Sequence, residues 1–131
     1  MEPLMLDHTG IVVSDLSQAR KFYDAVAKAL GLGIVTPHKD FFLLGRGPGQ
    51  IPYLWIGTLH PTYWVEGSRA GINQMHVAFV AKDKAMVDEF YRATLAAGGR
   101  DNGKPGPRES GYYGAFVLDP DGNNIEAVAR G

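Results

Sequence analysis

The sequence matches itself without gaps when it is shifted by the 68 residues that separate His8 from His76. His8 falls on His76, Asp15 on Asp83, Phe22 on Phe90 and Tyr23 on Tyr91. Ala25 then meets Ala93, Ala29 meets Ala97 and Gly31 meets Gly99. Seven identities in one register, each with the same structural role in both copies, imply a duplicated supersecondary unit. At 131 residues the chain has the length of one domain with a real core. It is expected to form a single domain of two halves, module one at about 4–66 and module two at about 71–131.

Each copy begins with a strand. Leu6-Asp7-His8-Thr9-Gly10-Ile11-Val12-Val13 and Met75-His76-Val77-Ala78-Phe79-Val80 are short, apolar and partly β-branched. Asp15 and Asp83 follow, placed to cap a helix by accepting from its free N–H groups, and Gln18 completes a capping-box spacing with Asp15. Leu16, Ala19, Phe22, Tyr23, Val26, Ala27 and Leu30 recur at three- and four-residue steps and mark one buried helix face. Val87, Phe90, Tyr91, Thr94 and Leu95 repeat that face in the second copy. Gly31 and Gly98-Gly99 end the helices, since glycine enters the left-handed conformation without penalty.

Strands follow each helix. Gly33–Thr36, Phe41–Leu44 and Tyr53–Ile56 complete the first copy. In the second, Tyr113–Leu118 and Asn123–Val128 flank the turn Asp119-Pro120-Asp121-Gly122, a hairpin signal. Its remaining strand is weakly marked, near Gly99 to Asn102. Seventeen glycines and eight prolines in so short a chain agree with many turns between short strands. The expected class is α+β: two tandem βαβββ modules forming a curved mixed sheet with a cleft, and helices on its outer face.

Composition narrows the function classes. With no cysteine, disulfides, iron–sulfur clusters and thiol catalysis are excluded, and a reducing cytoplasm is the expected location. A net charge of −1 argues against a nucleic-acid partner. No apolar run is long enough to span a membrane, and Met1-Glu2-Pro3-Leu4 lacks a signal-peptide pattern.

Four stretches carry a resemblance to a known family. They are Asp7-His8-Thr9-Gly10-Ile11-Val12-Val13, Phe22-Tyr23, His76-Val77-Ala78-Phe79, and Phe116-Val117-Leu118-Asp119-Pro120-Asp121-Gly122-Asn123-Asn124-Ile125-Glu126. Together they resemble the vicinal oxygen chelate superfamily, which holds glyoxalase I, extradiol dioxygenases, methylmalonyl-CoA epimerase, fosfomycin resistance transferases and bleomycin-binding proteins. One fold there hosts unrelated chemistries. In strands, side chains alternate between faces, so His8, His76 and Glu126 are each expected to face the cleft, along with Asn124. The resemblance implies that pseudo-twofold symmetry brings His8, His76 and Glu126 together as a metal site. Two imidazoles and a carboxylate suit Fe(II), Mn(II), Zn(II), Co(II) or Ni(II) and leave positions open. In metal-dependent members the ion binds a substrate through two neighbouring oxygens and acts as a Lewis acid.

Glyoxalase I and the epimerase carry a further Glu or Gln ligand on the last strand of module one. Here that strand, Ile51-Pro52-Tyr53-Leu54-Trp55-Ile56-Gly57, has none, and Trp55 stands at the ligand position. The three-ligand pattern is nearer the dioxygenases and fosfomycin transferases, although the transferases use a Thr where this chain has Gly10.

Tyr53, Trp55, Tyr63 and Trp64 suit the walls of a pocket for a flat or apolar ligand. Tyr53, Trp55 and Asn124 are the expected substrate-binding residues, and Tyr113 is the candidate proton donor. Arg100, Lys104 and Arg108 lie in a Gly/Pro-rich stretch, Gly98 to Gly111, which reads as a loop able to close on an anionic substrate. His38 and His60 are expected in exposed turns. The leading expectation is a small metal-dependent enzyme with dioxygenase, lyase or isomerase chemistry on a small molecule bearing two adjacent oxygens. The alternative is a metal-free protein that sequesters an aromatic or drug-like ligand. The resemblance also implies a homodimer, in which His8 and Glu126 of one site can come from different chains.

Overall fold

The computed structural model describes residues 4–72 and 74–131. Met1, Glu2 and Pro3, on which part of the N-terminal reading rests, lie outside the described residues. Module one runs β1 (His8–Val12), α1 (Leu16–Ala29), β2 (Gly33–Val35), β3 (Phe41–Gly45) and β4 (Tyr53–Gly57). Module two runs β5 (His76–Val80), α2 (Lys84–Ala96), β6 (Arg100–Pro107), β7 (Tyr113–Leu118) and β8 (Asn124–Ala129). The strands form two mixed four-stranded sheets of identical topology, ordered β1-β4-β3-β2 and β5-β8-β7-β6. In each, the first strand lies parallel to the last and the other pairings are antiparallel. Among the described residues no helix is long and apolar enough to cross a membrane.

Both helices start where the aspartates place them. Asp15 accepts from the Gln18 N–H and Asp83 from the Met86 N–H, each at 2.9 Å. Gly31 (φ 71°) and Gly98 (φ 99°) take the left-handed conformation just past the helix ends. On α1, Ala19, Phe22, Tyr23, Val26 and Ala27 are buried; on α2, Val87, Phe90 and Thr94 are. Each helix covers one face of its own sheet, and the helices also pack on one another. One apolar cluster therefore runs through both modules, from Ile11, Leu54 and Ile56 to Val117, Ile125 and Ala127.

A buried polar network fastens the modules together. Asp119, fully buried, begins the turn between β7 and β8. Its carboxylate accepts from the Asp121 and Asn123 N–H groups (3.0 and 2.8 Å) and from the Asn123 amide (2.9 Å). The fourth donor is the Tyr23 hydroxyl of α1, at 2.6 Å. Two residues on, Asp121 accepts from the Ser14 hydroxyl (2.6 Å) and N–H (3.0 Å), before α1 begins. The Asp-Pro-Asp-Gly turn is thus both a hairpin turn and a clamp between modules.

The stretch read as a closing loop is a strand. Arg100–Pro107 pairs with β7 from Arg100↔Leu118 to Pro107↔Tyr113, with two register shifts on the way. Pro105 and Pro107 hid it. They are tolerated because β6 is an edge strand, where a missing N–H breaks no ladder on the outer side. The expected α+β fold of two repeated modules is present, each module with its own mixed sheet. Within one chain β1 and β5 are not paired, so the strands make two four-stranded sheets and not one continuous one. Packing of α1 on α2, fixed by the Asp119 clamp, sets how the halves meet.

Asp119→Ala should lower unfolding free energy by about 3–5 kcal/mol, because four donors lose their acceptor in the interior. Tyr23→Phe should cost about 2 kcal/mol. Urea denaturation measures both. Burial first, and then the Asp119 charge, hold the Tyr23 hydroxyl well above its ordinary value of 10.0. Its contribution is fully present below pH 10 and is lost as pH rises through the folded-state value. Above pH 10 the parent protein should therefore lose stability more steeply than Tyr23→Phe.

Candidate functional site

The sheet faces not covered by helices carry the chemistry-bearing side chains. On module one the register pairs His8 with Tyr53, Gly10 with Trp55, and Leu43 with Trp55 from the other side. His8 stacks on Tyr53 with ring centroids 4.9 Å apart and planes 6° from parallel. Its Nδ1 lies 2.7 Å from an Asp7 carboxylate oxygen. A carboxylate on one imidazole nitrogen fixes the ring's tautomer and orientation, the usual support for a metal-ligating histidine.

Trp55 continues the aromatic surface to Phe41 (5.9 Å), on which His38 stacks at 4.7 Å. His60 meets Trp64 at 5.2 Å. His38 and His60 are exposed, as expected, yet both rings belong to this aromatic surface. Beside His8, Tyr53, Trp55, His60 and Tyr63 line a cavity of about 450 Å³. Two glycines seat the indole. A Cβ at Gly57 would come within 2.6 Å of Trp55 Cη2 and 2.7 Å of Phe41 Cβ, and one at Gly10 within 3.4 Å of Trp55 Cε3. The signal was present in the sequence, since glycine inside a strand often marks a close approach.

Module two presents a smaller, more polar constellation. His76 is opposite Asn124, while Glu126 is flanked by Ala78 and Phe116, all by register on one face. His76 Nε2 lies 3.4 Å from Glu126 Oε1. The Glu126 side chain is only 3% exposed, and its Oε2 is buried without a hydrogen-bond partner among the described residues. Gly114 makes room for that oxygen, which lies 3.0 Å from where a Cβ would stand. Tyr112 reaches the same point at 3.0 Å through Cε1. His76 Nδ1 lies 2.8 Å from the Asn124 amide nitrogen and 3.3 Å from the Asn124 carbonyl. The Asn124 amide NH2, its oxygen engaged by Asn102, donates to His76 Nδ1, so the neutral ring carries its proton on Nε2, the nitrogen that faces Glu126.

The expected triad is only partly assembled in one chain. His76 and Glu126 meet, but His8 is held by Asp7 and Tyr53 on the other module. Among the described residues no three or more His, Cys, Asp or Glu side chains are grouped closely enough to hold a metal. Separate sheets, fixed by helix packing, are the reason.

Other expected residues also find their places. Trp55 and Tyr53 are half-exposed on the open face. Asn124 is tied to His76 and accepts from the Asn102 amide at 3.0 Å, a position that orients the imidazole. Tyr113 is not on the open face with His76 and Glu126. Phe116 shares Glu126's face, so Tyr113, three residues earlier, has the opposite parity, and its hydroxyl donates to Asp88 of α2 at 2.7 Å. That hydrogen bond, with burial, raises its pKa above 10.0.

A model of the Glyoxalase/Bleomycin resistance protein/Dioxygenase superfamily matches residues 5–127. The chain belongs to this superfamily. It is 31% identical over 134 residues to the Bacillus subtilis (strain 168) protein YqjT, covering 95% of this chain and 98% of that protein. A crystal structure of a glyoxalase/bleomycin resistance protein from Albidiferax ferrireducens T118 superposes with a TM-score of 0.75 at 32% identity. That match covers 98% of this chain and all of the other. A putative lactoylglutathione lyase from Brassica oleracea var. gemmifera is 29% identical over 95% of this chain, which spans 44% of that longer protein. Superfamily membership accounts for the paired modules and leaves the reaction to the site residues.

Gly57→Ala should displace the indole of Trp55, lower stability by about 1–3 kcal/mol and alter the tryptophan emission. A denaturation curve followed by fluorescence measures both effects.

Proposed function

We propose that the protein is a metal-dependent enzyme of the glyoxalase/dioxygenase type acting on a small substrate with two adjacent oxygens. Its ligand set is His76 and Glu126 of one chain with His8 of a second copy. The observation that carries this reading is Glu126. A buried carboxylate with one oxygen unpartnered and the other only 3.4 Å from an imidazole lacks the interaction that its burial requires. A divalent ion supplies it, and a two-imidazole, one-carboxylate donor set fits Fe(II), Mn(II), Zn(II), Co(II) or Ni(II).

Several features support a second copy as the source of His8. β1 and β5 are both edge strands, and edges left open are templates for another chain. Between them runs a groove of about 380 Å³ whose walls include Leu6, Leu54, Val77 and Phe79. Leu6 (53%) and Val80 (86%) are exposed beside it. Bringing β1 of one copy to β5 of the other covers that apolar surface and sets His8 against His76 and Glu126.

Bound there, the metal supplies Lewis-acid stabilisation of charge developing on the substrate oxygens. The chain's own residues do the rest. Asp7 holds the His8 ring through Nδ1, Asn124 holds the His76 ring through Nδ1 with Nε2 toward Glu126, and the Trp55–Tyr53–Phe41 surface would exclude water from one side of a flat substrate. β4 offers only Tyr53, Trp55 and Gly57 to the open face, with no fourth carboxylate or amide ligand. That separates this site from the glyoxalase I pattern and leaves the lyase activity named for the Brassica relative a weaker fit than three-ligand chemistry. The aromatic surface also favours a second reading, a metal-free protein that sequesters an aromatic ligand.

Metal content of protein purified without chelators or a histidine tag separates the two readings. The enzyme reading expects about one transition-metal ion per chain, lost in His76→Ala and in Glu126→Gln. No metal, and no uptake on titration with Fe(II), Mn(II), Ni(II) or Zn(II), would leave the binding protein.

A further inference from the structure

Arg108 stands on the open face of module two and is not explained by the metal ligands. Its guanidinium carbon lies 4.7 Å from the centroid of Phe116, the residue in register with Glu126. His76 approaches the same phenyl ring at 6.4 Å. Arg108, Phe116 and the His76–Glu126 pair thus form one continuous patch.

The guanidinium is fixed. Nη2 donates to the carbonyls of Lys104 and Gly114, the latter at 2.8 Å. The backbone is held as well, since the Arg108 N–H donates to the Tyr112 carbonyl at 2.7 Å and Gly111 N–H returns to the Arg108 carbonyl. Yet the charge is not answered. Among the described residues no carboxylate lies within ion-pair distance of this half-buried side chain, and its Nε is buried without a partner there. Nη2 serves both carbonyls, and Nε finds no acceptor among the described residues. An arginine immobilised beside a binding face, with its charge unpaired, is the arrangement that recognises an oxyanion.

We propose that Arg108 binds a carboxylate or phosphate group of the substrate, so that the rest of the molecule lies over Phe116 toward His76 and Glu126. This names a substrate class for the proposed site, an anionic one. It rests on the same open face but does not require the metal.

The test uses chelator-treated protein and three ligands of similar shape: benzoate, phenyl phosphate and the neutral benzyl alcohol. Calorimetric titration of the parent protein should show at least one anion binding about tenfold tighter than the alcohol. The tighter of the two anions tells carboxylate from phosphate. In Arg108→Met, which keeps the aliphatic packing on Phe116, that preference should vanish while the alcohol binds as before. Equal affinities for anions and alcohol in the parent protein, or an unchanged preference in Arg108→Met, would overturn the proposal. Should Arg108→Met fail to fold, Arg108→Lys decides. A several-fold loss of the anion preference supports recognition by the planar guanidinium, and an unchanged preference contradicts it. Because metal is removed throughout, a negative result here is distinct from failure of the metal reading.

Discussion

Four donors converge on the carboxylate of Asp119, three from its own turn and one, the Tyr23 hydroxyl, from the first helix of the other module. A carboxylate with no exposure survives in the interior only if its lone pairs are satisfied, and this one is saturated. The turn that closes the last hairpin therefore has the last of its four donors supplied by module one. Asp121 adds a second tie through Ser14. With these links made, α1 packs on α2 and the two halves share one apolar cluster.

That arrangement fixes what a single chain can offer. Fastening the modules through their helical sides leaves the opposite face of each sheet open. One open face carries His8 among aromatic rings; the other carries His76, Glu126, Phe116 and Arg108. Neither is a complete metal site. The proposed third ligand rests on the burial of Glu126 beside one imidazole with an oxygen left over, more than on the exposed histidines.

Much of the fold was legible in the sequence because its signals are local. The Asp15 and Asp83 caps, the helix faces around Phe22 and Phe90, and the turn at Asp119-Pro120-Asp121-Gly122 all depend on neighbours within a few residues. The repeat then supplied the topology, since what one module does the other must do. The last edge strand was mostly hidden because Pro105 and Pro107 imitate a loop, and only its pairing with β7 reveals it. The site was legible residue by residue but not as an assembly. Face parity placed His8, His76 and Glu126 on open faces, yet how the modules meet depends on helix packing, which has no period in the sequence. Tyr113 shows the same limit on a smaller scale. Its side of the sheet follows only from the register that sets Phe116 opposite Glu126. Trp55 was expected in the pocket, while the glycines that seat it, Gly10 and Gly57, gain meaning only from its position.

If one site draws His8 from one chain and His76 with Glu126 from another, mixing two inactive chains rebuilds it. His8→Ala and His76→Ala chains, each unable to hold metal alone, are unfolded together, refolded and assayed for bound metal. The account predicts about one ion per mixed dimer, because one of its two sites then has all three ligands intact. Mixing His76→Ala with Glu126→Gln chains should restore none, since those two ligands come from the same chain. No recovery of metal in the first mixture, with mixed dimers shown to form, would contradict a shared site.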